Sequence, residues 1–116
     1  MDANKPPRPC FVELPTQDLA AGRAFYARVF GWNMTSFGPS YACTLTGDVD
    51  VGLQADAGEA TQAPLPVIDV PDIDRALAAV TDAGGLITKP IFAFPGGRRF
   101  HFRDPSGNEL AAMKPD

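Results

Sequence analysis

A chain of 116 residues has room for one domain that buries roughly two thirds of the surface of its unfolded form, so it needs no disulfide or metal staple. Ten Lys and Arg against fourteen Asp and Glu give a formal charge of −4 with no block of like charge, which argues against nucleic acid and anionic membrane as partners. The start, MDANKPPRPC, is polar and lacks an apolar h-region, and no later stretch reaches the ~18 apolar residues of a membrane span. A cytoplasmic protein is therefore expected, with Cys10 and Cys43 as buried thiols in apolar, strand-like runs.

The first element in chain order is the apolar strand CFVELPTQ. It is followed by Asp18, whose short carboxylate suits the orphan N–H groups of a first helical turn, and by a helix closed at Gly31. Phe25 and Val29 stand at i and i+4 there, flanked by Tyr26 and Phe30, which predicts a broad apolar face, while Gly22 lowers the propensity. Three short strands come next: NMTSF, SYACTLT and VDVGLQ, parted by turns at Gly38-Pro39 and Gly47-Asp48. The small, polar segment ADAGEATQAP reads as a linker over 55–64.

At an offset of 54 residues the pattern recurs, with LPVIDVP, then Asp72, then a helix, then Gly85. Asp18 to Gly31 and Asp72 to Gly85 are both thirteen positions. Ile73, Ala76, Leu77 and Val80 fall on one helical stripe. The strands LITKPIFAF, RRFHFR and NELAAM follow, and the turn before the last is Asp104-Pro105-Ser106-Gly107, the preferred dressing of a type I turn. The expected organisation is α+β: one domain of two tandem βαβββ modules, the first at about 8–54 and the second at about 65–114.

The run DLAAGRAFYARVFGW resembles the first-helix signature of the glyoxalase, bleomycin-resistance and extradiol-dioxygenase (vicinal oxygen chelate) superfamily. The stretch from DVPDIDRALAAVTDAGG to RRFHFRDPSGNEL resembles its second module. The resemblance implies a cupped, barrel-like mixed sheet and a homodimer. It leaves lyases, isomerases, dioxygenases, resistance proteins and simple binders all open, since fold does not choose among them. It also implies metal-ligand positions on the first and last strand of each module, which fall by register on Phe11, Leu65, Ala111 and a point near Gly52, with Gln54 two residues along. His, Gln and Glu are the ligand types such a centre uses, so the expectation is a protein without a metal or other cofactor. A shift of register by two makes Glu13 and Glu109 the nearest candidate ligands.

The remaining polar candidates are few. Glu13 interrupts the apolar run FVEL, where a carboxylate is unexpected unless it faces a pocket or a partner. His101, the single histidine, precedes the Ala111 position by ten residues, and Glu13 and His101 are the candidate catalytic pair. By alternation Arg99 shares a face with His101 and Arg103. Phe11, Tyr41, Gln54, Phe92, Arg99, Glu109 and Ala111 are the candidate ligand-binding residues, with the aromatics forming the floor of a pocket for a small apolar or aromatic molecule. The competing expectation is a lyase, isomerase or dioxygenase that works through Glu13 and His101 or through a metal site at the shifted register.

Overall fold

The computed structural model describes residues 6–116. The leader-free reading of the N-terminal segment therefore rests in part on residues 1–5, which lie outside the described residues. Among the described residues no helix is long and apolar enough to cross a membrane. The element order is β1 (Arg8–Pro15), α1 (Leu19–Phe30), β2 (Thr35–Ser36), β3 (Tyr41–Cys43), β4 (Asp50–Gln54), β5 (Leu65–Asp69), α2 (Ile73–Asp82), β6 (Leu86–Phe94), β7 (Gly97–Arg103) and β8 (Glu109–Pro115). This is βαβββ twice, an α+β fold. The chain divides into two compact units, residues 11–65 and residues 66–116, the second also taking the segment that ends at Cys10.

In the first unit the strand order is β2-β3-β4-β1, antiparallel except for the parallel pair β1·β4. Asp18 caps α1 by accepting the N–H of Ala21, and the N–H of Gly31, which is left-handed at φ 69°, bonds the carbonyl of Ala27. The helix lies on Met34, Ala42 and Leu53 through Leu19 and Tyr26. The predicted stripe is corrected here, because Phe25, Val29 and Phe30 are 58%, 51% and 61% exposed. At 3.6 residues per turn, Leu19 and Tyr26 sit seven apart on one line, and Phe25 and Val29 are rotated well away from it. Tyr26, Phe30 and Trp32 instead form a stacked aromatic group, with Tyr26 and Trp32 centroids 5.2 Å apart.

In the second unit the order is β5-β8-β7-β6, again with one parallel pair, β5·β8. Ile73, Ala76, Leu77 and Val80 pack on Val70, Phe100 and Ala112, as the stripe predicted. Asp72 caps α2 by accepting the N–H of Arg75. The stop signal needs correction by one residue, since Gly84 (φ 91°), not Gly85, is the left-handed one. The N–H of Gly84 bonds Thr81 and that of Gly85 bonds Val80, the paired pattern of a Schellman stop. The type I turn is present, with the N–H of Gly107 on the carbonyl of Asp104 and the Asp104 carboxylate accepting from Ser106 and Asn108.

Both cysteines are free thiols, Cys43 buried and Cys10 half-buried. Burial is the main cause that raises the pKa of each, and the carboxylates of Asp50 for Cys43 and Asp69 for Cys10 add to it. Neither has the thiolate character of a reactive cysteine.

Candidate functional site

Each sheet packs its helix against one face, and period-2 alternation delivers the candidate residues to the other. In the first unit the register pairs Phe11 with Asp50, Glu13 with Gly52, Tyr41 with Gln54 and Cys43 with Gly52. Phe11, Glu13, Tyr41, Gly52 and Gln54 therefore share the face away from α1, whereas Leu14, Ala42, Val51 and Leu53 belong to the helix side. Gly52 is the reason the aromatics can lie down on this face. A Cβ there would stand 2.6 Å from both Phe11 Cζ and Tyr41 Oη. Glu13 is 2% exposed beside it. Gln54 is committed elsewhere, because its Oε1 accepts the N–H of Asp56 at 3.0 Å and so orders the start of the following loop.

In the second unit the register pairs Arg99 with Met113, His101 with Ala111 and Arg103 with Glu109, and sets Phe92 opposite Arg99 and Lys89 opposite His101. The sequence-predicted residues Phe92, Arg99, His101, Glu109 and Ala111 come together on one face, opposite Phe100 and Ala112 in the core under α2. His101 is 0% exposed. Its Nδ1 stands 3.4 Å from Glu109 Oε2, and its ring lies 5.8 Å from that of Phe92. Glu109 is held from three sides: Thr88 Oγ1 donates to Oε2 at 3.0 Å, Arg103 Nη2 stands 4.0 Å from Oε1, and His101 faces Oε2. The Arg99 guanidinium sits 5.4 Å from the Phe92 centroid and 5.5 Å from that of Phe94, a cation between two aromatic rings.

Within the second unit the carboxylate neighbour of His101 is Glu109. Burial is the largest influence on the imidazole, and the nearby cations Arg99 and Lys89 act in the same direction. Together they outweigh the pull of Glu109 and lower its pKa from 6.5 to about 4. The ring is neutral at physiological pH. Its Nδ1 faces Glu109 at 3.4 Å, and its Nε2 has no hydrogen-bond partner among the described residues.

Thr88, Lys89 and Phe94 were missed by alternation because β6 is irregular. Its register shifts between Ile87 and Lys89 and again between Lys89 and Phe92. The legible signal was Pro90, which cannot donate to a ladder and marks a bulge.

Comparison with known proteins completes the picture. A profile of the Glyoxalase/Bleomycin resistance protein/Dioxygenase superfamily matches residues 10–112. The chain belongs to this superfamily. It is 29% identical over 110 aligned positions to the proteins named "Putative glyoxylase CFP32" of Mycobacterium bovis and Mycobacterium tuberculosis, covering 85% of this chain and 42% of each relative. This chain thus spans less than half the length of those relatives. Among solved structures, hypothetical protein BH1468 of Bacillus halodurans superposes with a TM-score of 0.79 at 11% identity, covering 97% of this chain and 96% of the other. A superfamily member from Vibrio splendidus gives 0.69 at 21% (94% and 99% covered), and methylmalonyl-CoA epimerase of Mycobacterium tuberculosis gives 0.72 at 13% (93% and 87%). At these identities the structures establish the fold alone.

The superfamily resemblance implies a divalent metal, and the side chains at the positions it assigns to the ligands do not fit one. Phe11, Leu65, Gly52 and Ala111 offer no side-chain nitrogen or oxygen, and Gln54 is already engaged by Asp56. Among the described residues no three His, Cys, Asp or Glu side chains converge. The shifted candidate Glu109 is occupied by Thr88, Arg103 and His101.

Proposed function

We propose that this superfamily member is a cytoplasmic, homodimeric protein that binds a small apolar or aromatic molecule without a resident metal, at the β6–β8 face of the second unit. The observation that carries the reading is His101: a wholly buried, neutral imidazole whose Nδ1 faces Glu109 and whose Nε2 has no hydrogen-bond partner among the described residues. A buried polar group is costly to leave unsatisfied, and a ligand is what completes it. Phe92 supplies an aromatic wall beside the ring, and the Arg99 guanidinium stacked on Phe92 and Phe94 gives that wall a polar rim. In the first unit, Phe11 and Tyr41 laid over Gly52 make a second apolar surface. The exposed Phe25, Val29 and Phe30 of α1 suit a homodimer contact.

A second reading is favoured by the contact between His101 and Glu109. A carboxylate beside an imidazole is the orienting half of many acid–base sites, which would make the protein a metal-independent lyase or isomerase. Its low pKa makes His101 a weak base, so binding is the better-supported role.

Native mass spectrometry of unheated, purified protein separates these readings. The expected species has twice the 12.3 kDa chain mass, carries one small organic molecule per chain, and contains no divalent ion. His101→Ala should lose the molecule and remain dimeric. A stoichiometric metal ion that disappears in Glu13→Ala or Glu109→Ala would overturn the metal-free reading.

A further inference from the structure

We propose that the groove along α1 in the first unit is a binding site for a small monocarboxylate on a flat apolar body, held by Arg23 and Trp32. The site lies on the helix side of its sheet and does not depend on the function proposed above. Arg23 belongs to α1, and its guanidinium is fixed by two bonds to the chain that enters and forms the edge strand β2. Nη1 donates to Ser36 Oγ at 2.7 Å, and Nη2 donates to the Met34 carbonyl at 2.8 Å. A guanidinium has more N–H donors than these two bonds use, and among the described residues no carboxylate pairs with Arg23. The result is a half-buried, oriented cation without a counter-charge.

Space for a counter-charge lies beside it. Arg23, Ala20, Ala24, Ala27, Trp32 and Asn33 line a groove of about 320 Å³, at the lower end of the range for small-molecule sites. Trp32 is stacked against Tyr26 with 5.2 Å between centroids and packs on Phe30 at 5.1 Å, so the indole is a braced wall. A guanidinium fork next to an aromatic wall matches a carboxylate carried on a flat ring: the N–H donors take the oxygens and the indole takes the apolar body. Among the residues that line the groove Arg23 is the only charged one. A single cation offsets a single negative charge, which favours a monocarboxylate over a phosphate, whose second charge would stay unpaired.

The chain has one tryptophan, so the indole N–H of Trp32 gives a single 15N–1H cross-peak that reports on the groove. Phenylacetate should move this peak saturably in the full-length protein. Phenylacetamide, which has the same shape and no charge, should bind at least about tenfold more weakly, the scale of one charge-assisted bond lost. Ala24 is exposed, and leucine suits a helix there, so Ala24→Leu should fill the groove and abolish the phenylacetate shift with thermal unfolding unchanged. Arg23→Gln should bring the two probes to equal affinity. Because that change also cuts the ties to Ser36 and Met34, Ala24→Leu decides the matter if Arg23→Gln does not fold. His101→Ala should leave the phenylacetate affinity unaltered, which separates this groove from the β6–β8 face. A Trp32 peak unmoved by phenylacetate, equal affinity of the wild type for both probes, or binding that survives Ala24→Leu or is lost in His101→Ala would overturn the inference.

Discussion

Lowering the pH from 7 to 4 is expected to cost the native state up to about 3 kcal/mol through His101 alone. The folded pKa is near 4 and the unfolded value 6.5, so as the pH falls the unfolded chain takes up a proton first. Stability is therefore intact above about pH 6.5 and declines through the window between the two values. It stops declining below about pH 4, where both states are protonated. Each pKa unit is worth about 1.4 kcal/mol, which sets the scale of the loss. Urea denaturation of wild type and His101→Gln across this range isolates the effect, since the other acid-titrating groups are common to both. The difference between the two curves should change by up to about 3 kcal/mol between pH 6.5 and 4. A flat difference would mean that the imidazole titrates as it does in water and that the face around it is open to solvent.

Replacing Gly97 with alanine should be more damaging than its position at a hairpin end suggests. A Cβ there would overlap the carbonyl oxygen of Lys114 and stand 3.1 Å from both the Lys114 carbonyl carbon and Pro115 Cα. These are backbone atoms of the strand paired with Gly97, and they cannot move aside without breaking the β7·β8 ladder that sets Arg99, His101 and Arg103 against β8. The expected loss is roughly 3 kcal/mol or more, the upper range for forcing atoms into packed space, and ligand binding should fall with it. Gly52→Ala provides the contrast. The atoms nearest its Cβ are the ring tip of Phe11 and the hydroxyl of Tyr41, side-chain ends rather than backbone, so about 1–2 kcal/mol is expected. Equilibrium denaturation of the two variants orders them, and a Gly97→Ala loss smaller than that of Gly52→Ala would show that the end of β8 yields easily.

The fold was legible because its signals were local and repeated. Asp18 and Asp72 are caps by chemistry alone, the DPSG tetrad dictates its turn, and the α2 stripe is strongly periodic. The first helix misled because its largest side chains are not its buried ones. Phe25 and Phe30 are prominent in the sequence, while the packing runs through Leu19 and Tyr26. Alternation also placed His101, Arg99 and Arg103 on a common side. The partnership of His101 was not legible in the same way. It depends on how β7 and β8 are aligned across the DPSG turn, which puts Arg103 opposite Glu109 and brings the Glu109 carboxylate to the His101 ring. Sequence reasoning valued Glu13 because it interrupts an apolar run and took Glu109 as a candidate ligand-binding residue and a fallback metal ligand, without linking it to His101. Thr88 carries no signal of its own, being one threonine in a strand whose alternation fails at Pro90.

The strand order of the second unit also bears on how the protein folds. β6, β7 and β8 are successive antiparallel neighbours joined by tight turns, whereas β5 reaches β8 only after the chain has passed through α2 and both hairpins. Closing short loops costs less entropy than closing long ones, and local pairings form faster than distant ones. Thr88, His101 and Glu109 all lie within the meander, so their cluster should assemble before β5 docks and before the parallel pair is complete. Truncating the chain ahead of β6 should therefore leave transient Glu109–His101 proximity in the isolated hairpins. Refolding of the intact chain should in turn be limited by the long closure that brings Val67 to Ala111.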